Sequence, residues 1–267
     1  MTRFDLSATE LDVVWRTAGF GTLPLIIDVP SPGATHAERA LLEHRVWADL
    51  VTRGLADDPG RAHWRLTDRL ETIARCAQSL QLRVFGADET RAILATRGRH
   101  NVLGVLGERF RLAAVPDTGR AETLVSLLPE VPAGPGHSVS VDTALFRAAA
   151  ADPGTAFDRL RRHGLGTDDA RTLLAMTTGA VRVTQLVAER RDGRVTRSRP
   201  VSVLDTANGR YRVIRTVTTT GDHLTVTPAT TATLADALTV QVPPLWTDDP
   251  VAGQAGRMAY WRRQRSG

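Results

Sequence analysis

Leu50-Val-Thr-Arg-Gly54-Leu55 and Leu160-Arg-Arg-His-Gly164-Leu165 read as one helix ending written twice, about 110 residues apart. Each closes a helix on a glycine, which reaches the left-handed conformation without a Cβ clash, and sets an apolar residue behind it. Working outward, Arg109-Phe110-Arg111-Leu112 matches Arg210-Tyr211-Arg212-Val213. Thr123-Leu124 with Leu128 matches Thr233-Leu234 with Leu238. In both stretches the order is helices, then strands, then a helix. The chain therefore reads as a duplicated α+β unit, with one half-repeat over 1–131, a second over 137–242, and a flexible basic tail at 243–267. Two small sheets with open edges invite aggregation, so the halves are expected to share one larger antiparallel sheet in a pseudo-symmetric body.

The local signals fill in this plan. Ser7-Ala8-Thr9-Glu10 and Thr35-His36-Ala37-Glu38 are capping boxes, in which the first and fourth residues satisfy each other's orphan amides. The first helix runs to Gly19, the second to Gly54, and a third spans about 67–77. The period then changes from 3.6 to 2, predicting strands at 80–85, 91–96, 102–106 and 109–115 before a helix at 121–128. The segment 132–135, Pro-Ala-Gly-Pro, reads as a linker. Helices follow at 142–150, at 153–162 with Asp152 as N-cap, and at 168–176. Strands are predicted at 181–189, 194–199, 201–204, 211–217 and 223–227, with Asp192-Gly193 and Asn208-Gly209 as turns, and a last helix at 230–238.

Composition narrows the function. At 267 residues and 42% hydrophobic, the chain has the material for a core. No apolar run approaches the ~20 residues that span a bilayer, and residues 1–10 lack the apolar stretch of a secretory signal. One cysteine, Cys76, leaves no internal disulfide or cysteine metal cluster, and together these features point to the cytoplasm. All 34 Lys+Arg residues are arginine, which removes the lysine of a P-loop, of a Schiff base and of a kinase strand. The wealth of Arg, Ala, Gly, Val and Thr matches GC-rich coding. The net charge of +5 is concentrated after Gly256, where four arginines stand without an acid.

Chemistry-bearing motifs are sparse. The seven histidines are scattered, with no His-Glu-x-x-His, and there is no Gly-x-Ser-x-Gly elbow. Gly19-Phe20-Gly21 follows a helix rather than a strand, against the context a dinucleotide loop requires. Cys76 falls at a helix end among apolar neighbours and reads as a small core residue. No catalytic, cofactor-binding or metal-binding residue emerges. An Arg-rich nucleic-acid-binding module stands as the alternative reading. Its residues are Arg190, Arg191, Arg194, Arg197 and Arg199 on one hairpin and Arg210, Arg212 and Arg215 on a strand nearby.

The opening Leu6-Ser-x-x-Glu10-Leu11, Trp15, Gly19-x-Gly21-x-Leu23-Pro24 and Val29-Pro30-Ser31-Pro32-Gly33 resembles the EspG family of ESX (type VII) secretion-associated chaperones. So do Arg53-Gly54-Leu55, Gly209-Arg210-Tyr211-Arg212-Val213 and Leu224-Thr225-Val226-Thr227-Pro228-Ala229. The resemblance covers about residues 4–240 and implies a central antiparallel sheet flanked by two helical bundles related by a pseudo-twofold axis. It further implies a cytosolic, non-enzymatic chaperone without a cofactor, a monomer or weak dimer when free. Its partner would be the PPE protein of a PE–PPE heterodimer, or another ESX substrate, with neither membrane nor nucleic acid involved. By position, the contact surface it implies takes in Gly86, Asp88, Glu89 and Arg91 on the loop between early strands. To these it adds Leu94, Val102, Val105, Val187, Val195 and Val203 on the sheet, with Arg190, Arg197 and Arg199 as a charged rim. That loop looks short for the family, and the tail after Pro243 has no counterpart in it.

Overall fold

The computed structural model describes residues 3–240 apart from 87–88 and 220. The proposed tail at 243–267 and Asp88 lie outside the described residues. The chain begins with β1 (Arg3–Leu6), α1 (Ala8–Thr17), a 3-10 turn at Leu25–Ile27 and α2 (His36–Thr52). A small hairpin, β2 (Ala56–Asp58) and β3 (Arg61–Ala62), leads to α3 (Trp64–Ala74). The meander β4 (Gln78–Phe85), β5 (Thr90–Arg97), β6 (His100–Leu106) and β7 (Phe110–Val115) follows, then α4 (Arg120–Val125). The second half runs β8 (Val139–Asp142), α5 (Thr143–Ala151), α6 (Ala156–Arg162), α7 (Thr167–Thr177), β9 (Arg182–Arg191) and β10 (Val195–Arg197). It ends with β11 (Val201–Thr206), β12 (Gly209–Thr218), β13 (Gly221–Pro228) and α8 (Thr231–Val240).

All these strands but β2 and β3 join one antiparallel sheet, in the order β1-β7-β6-β5-β4-β9-β11-β12-β13-β8, with β10 beside β9. The order is a palindrome about the β4–β9 ladder. In each half the first strand closes on the last strand of its meander: β1 on β7, β8 on β13. The axis passes between Leu82 and Leu186, which face each other in register. The dipeptide Gln-Leu recurs there, as Gln81-Leu82 in β4 and Gln185-Leu186 in β9. The expected merger of two sheets into one is what the chain does, in an α+β fold.

Local chemistry sets the helix ends. Both capping boxes form, Ser7 with Glu10 and Thr35 with Glu38. The repeated helix ending is a Schellman motif in both copies. Leu55 N donates to Leu50 O at 2.8 Å and Leu165 N to Leu160 O at 3.1 Å, with Gly54 at φ +66° and Gly164 at φ +91°.

Other expectations are corrected. The third helix starts at Trp64, capped by the His63 side chain, rather than near 67. The sixth starts at Ala156, not at Pro153: Asp152 ends α5 and uses its carboxylate on the Thr155 hydroxyl at 2.5 Å. The edge strands β1 and β8 stand where only caps were read. The match of 109–112 to 210–213 does not survive the topology either, since β7 corresponds to β13 whereas 210–213 lies in β12. Aromatic-basic alternation, common to both strands, produced the likeness.

The segment 132–135 is a packed strap rather than a loose linker. Pro132 O accepts from Arg210 N at 2.8 Å, Gly134 N donates to Arg210 O at 3.2 Å, and the Tyr211 hydroxyl donates to Pro135 O at 3.2 Å. Gly134 is required by contact, because a Cβ there would stand 2.1 Å from the Tyr211 ring. Arg210 itself is fully buried. Its Nε and Nη2 donate to the two oxygens of Asp205 at 2.7 and 3.0 Å, and Nη2 also donates to Pro129 O at 2.9 Å.

Three apolar cores follow from the layers. On one face of the sheet, α4 and α8 pack together over the axis, on Leu80, Leu82, Val84, Leu94, Leu186, Val201 and Val203. On the opposite face, α1–α3 cover β5, β6 and β7 through Ile93, Ala95, Val102 and Phe110. On that same face α5–α7 cover β8, β12 and β13 through Val139, Val141, Tyr211 and Val226.

Candidate functional site

The two bundles sit over the outer strands, so the middle of their shared face is left as a trough floored by β4 and β9. Strand alternation puts Ser79, Gln81, Arg83 and Phe85 on that floor, opposite Glu189, Val187, Gln185 and Val183 respectively. The two faces differ in the middle of the floor, although Ser79, Val183 and Glu189 toward its ends are buried. Leu80, Leu82, Val84, Leu186 and Ala188, which point under α4 and α8, are buried, whereas Gln81, Arg83, Phe85, Gln185 and Val187 are all half-exposed. One packed and one half-solvated face is a common antiparallel arrangement, and here it leaves the β4–β9 floor as the candidate contact surface.

The two ends of the floor differ. At one end Phe85 pairs with Val183, and Arg83 lies over the Phe85 ring at 4.9 Å while reaching Glu89 at 2.6 Å. Gly86 and Glu89, flanking β4 and β5, stand at this end. The β4–β5 loop is short, as expected, with β5 resuming at Thr90. The 3-10 turn at Leu25–Ile27 lies against β4, β5 and β6, with Leu25 65% exposed. Arg91 anchors the turn by donating from Nη1 to Asp28 O at 2.8 Å.

At the other end sits Glu189, its side chain 1% exposed. Arg191 donates from Nε to Oε1 and Arg197 from Nε to Oε2, both at 2.8 Å, and Gln81 donates to Oε2 at 3.3 Å. Burial opposes the charge on this carboxyl, but the hydrogen bonds from Arg197 and Arg191 outweigh it and hold the group below its ordinary range. Val195, 53% exposed, faces Arg191 across the hairpin.

The structure sorts the residues singled out from sequence. Val187, Val195 and Arg197 share the trough face, and Gly86, Glu89 and Arg91 border it. Leu94, Val105 and Val203 are buried on the other face in the core beneath α4 and α8, and Val102 is buried in the core of the first bundle, so none of these four lines the trough. The reason is parity: each had an apolar side chain on a strand, and only the register shows which face is covered. Arg190 pairs with Gln78 and Thr196 on the α4/α8 face and is held by Asp192 at 3.1 Å. Arg199 lies past the end of β10, donating to Arg215 O at 3.4 Å. Sequence reasoning missed Gln81, Arg83, Phe85, Gln185 and Glu189, and placed Arg191 only in the nucleic-acid alternative. The repeated Gln-Leu dipeptide and the lone acid in the strand 182–191 were the available signals.

Other chemistry stays thin. The arginines do not form one basic strip: Arg210 is in the core, Arg215 is held by Asp222, and Arg190 and Arg191 point to opposite faces. Cys76 is buried, and burial pushes its thiol up. A groove of about 430 Å³ beside α2 is lined by Gly33, Glu38, Leu41, Leu42, Arg45 and Val46; its one carboxylate, Glu38, is engaged by the Ala34 and Thr35 amides in the helix cap. Among the described residues no cluster of His, Cys, Asp and Glu is placed to hold a metal ion, and no helix is long and apolar enough to cross a membrane.

Comparison with known proteins fits this geometry. A family model described as the EspG family matches residues 7–239. The ESX-3 secretion-associated protein EspG3 of Mycolicibacterium smegmatis is 29% identical, over 88% of this chain and 85% of that protein. Among solved structures, the type VII secretion system chaperone EspG5 of Mycobacterium tuberculosis, in complex with a PE25–PPE41 dimer, superposes with a TM-score of 0.70. The superposition covers 93% of this chain and 98% of that one at 15% identity, a likeness of fold.

Proposed function

The chain belongs to the EspG family, and from that premise we propose that it is a cytoplasmic chaperone of type VII secretion. It seats the PPE protein of a PE–PPE pair in the trough and keeps the pair soluble for export, without catalysis and without a cofactor. The observation that carries this reading is the half-solvated floor of β4 and β9, in a sheet whose other face is packed under α4 and α8 along β4, β5, β9 and β11. A protein tip with a few large apolar side chains self-associates in water, and covering it removes that drive. A specific complex of this kind covers roughly 800 Å² on each partner. The trough suits a releasable contact: Val187, Val195 and Phe85 are apolar anchors, set among Gln81, Gln185 and charged groups that remain solvated when the site is empty. Gly86, Glu89 and Arg91 on the β4–β5 side, and Arg197 and Arg199 on the β9–β11 side, form the proposed rim. The two half-repeats, 1–131 and 137–242, act as one body, since the site exists only where they meet.

Co-expression with a PE–PPE pair from the same genome, followed by size-exclusion chromatography with light scattering, tests the reading. The expected result is a 1:1:1 complex, with the PPE protein insoluble when the chain is absent. Elution of the chain alone beside a PE–PPE pair that stays soluble without it, for every pair in that genome, would overturn the reading. Binding of duplex DNA with a steep salt dependence would instead favour the nucleic-acid alternative.

A further inference from the structure

Resting on the chaperone reading, we infer that Arg191 and Arg197, both tied to the buried Glu189, form an anion clamp that takes a carboxylate side chain of the protein seated in the trough and fixes the direction in which it lies. Glu189 engages each guanidinium through Nε, at 2.8 Å. The Nη1 and Nη2 groups of both arginines are not used by that carboxylate, and a guanidinium carries four of its five N–H donors on those two nitrogens. The side chains are 34% and 42% exposed, so these donors reach solvent at the trough wall.

The charge count points the same way. Two cations share one anion, leaving an excess positive charge beside the floor. The nearest other acid on the hairpin, Asp192, is occupied by Arg190 at 3.1 Å. Cross-strand pairing of Glu189 with Arg197, and of Arg191 with Val195, fixes both guanidinium groups before any ligand arrives. The ordering entropy of two long side chains is thereby already spent. Val187 and Val195 flank the clamp, and an apolar contact over them excludes water and strengthens a charge-assisted hydrogen bond.

The direction follows from the axis. The middle of the floor reads alike both ways, Gln81-Leu82 against Gln185-Leu186, and a partner on such a floor has two related seats. The position related to Glu189 by the axis is Phe85, and the one related to Val187 is Arg83. A buried carboxylate holding two guanidinium groups therefore exists at one end only; at the Phe85 end Arg83 is tied to the exposed Glu89 and Arg91 to the Asp28 carbonyl, beside an aromatic ring. An acidic group on one side of an apolar tip selects one seat.

The test starts from the purified ternary complex, in which the PE–PPE pair stays soluble, and measures how well unlabelled full chain displaces a fluorescently labelled wild-type chain at about 50 and 300 mM NaCl, contrasting low with moderate screening. Arg191→Gln with Arg197→Gln is expected to weaken binding about tenfold or more at low salt and to flatten the salt dependence. Arg190→Gln, which removes one charge on the opposite face of the same hairpin and so matches the single Arg197→Gln variant, leaves both unchanged. Should the double variant melt early, Arg197→Gln alone, which leaves Arg191 on Glu189, gives the readout. Wild-type affinity and salt slope in these variants would overturn the clamp while leaving the chaperone reading intact. Failure of the wild-type chain to bind any such pair would bring down both.

Discussion

Breaking the Asp205–Arg210 pair offers the sharpest test of how the second half is held. Arg210 is fully buried and Asp205 is 3% exposed. The two make a bidentate contact at 2.7 and 3.0 Å, and Asp205 has a second partner in Arg182 Nη1 at 3.2 Å. The two single substitutions therefore differ. Asp205→Asn strands a buried guanidinium whose remaining acceptors are a neutral amide and the Pro129 carbonyl, and such loss of one partner costs about 3–5 kcal/mol. Arg210→Met leaves Asp205 with Arg182, which is 37% exposed, and costs less, about 2–3 kcal/mol. The double variant has no stranded charge, so its loss falls well below the sum of the singles. Urea denaturation followed by circular dichroism measures all three. In a chain of this size each kcal/mol also moves the midpoint of thermal unfolding by about 2–4 °C. Losses below about 1 kcal/mol for Asp205→Asn, or strict additivity, would refute the reasoning. Amide exchange gives a local check: the Arg210 and Gly134 N–H groups, bonded into the 132–135 strap, should lose protection first.

Two further outcomes follow from named contacts. Gly134→Ala drives a methyl group into the buried Tyr211 ring, 2.1 Å from its nearest atoms, and is expected to destabilise the chain by about 3 kcal/mol in the same denaturation assay, near the upper range for overpacking. Asp222 accepts hydrogen bonds from Arg215, which hold its carboxyl at about 2 against burial, with help from Thr143. A carboxyl lowered in the folded state contributes stability above its unfolded value near 4 that is lost as pH falls toward 2, here about 1 kcal/mol once the half-exposed Arg215 is allowed for, and Asp222→Asn should flatten that part of an acid-stability profile.

What was legible in the sequence is what short-range chemistry decides. Capping boxes at Ser7 and Thr35 and the glycine endings at Gly54 and Gly164 each involve residues within one turn, and all formed as read. The strands between Gly and polar turns were legible too, through alternation. The edge strands were not: β1 and β8 have four residues each, too few to show a period, and each runs straight into the capping residue of the next helix. The candidate site was half legible. Val187, Val195 and Arg197 lie on the face of the proposed trough, whereas Leu94, Val105 and Val203, with the same local pattern, have the opposite parity and pack under α4 and α8. Which side of a strand is covered depends on where α4 and α8 settle, and that depends on β4 finding β9, a pairing no local window contains. Glu189 was passed over because an acid in a strand beside arginines looks like surface until its burial is known.

The strap at 132–135 bears on how the molecule assembles. Each meander closes through neighbouring hairpins, whereas the β4–β9 ladder joins segments about a hundred residues apart and forms against a loop-closure cost. Until it forms, β4 of one molecule and β9 of another are compatible edges, the starting point for strand exchange between copies. By pinning the connection to Arg210 and Tyr211, beside the second meander, the strap raises the effective concentration of the chain's own β9 at β4. Loosening it should show first in crowded refolding, as exchanged dimers, before any loss of affinity at the trough.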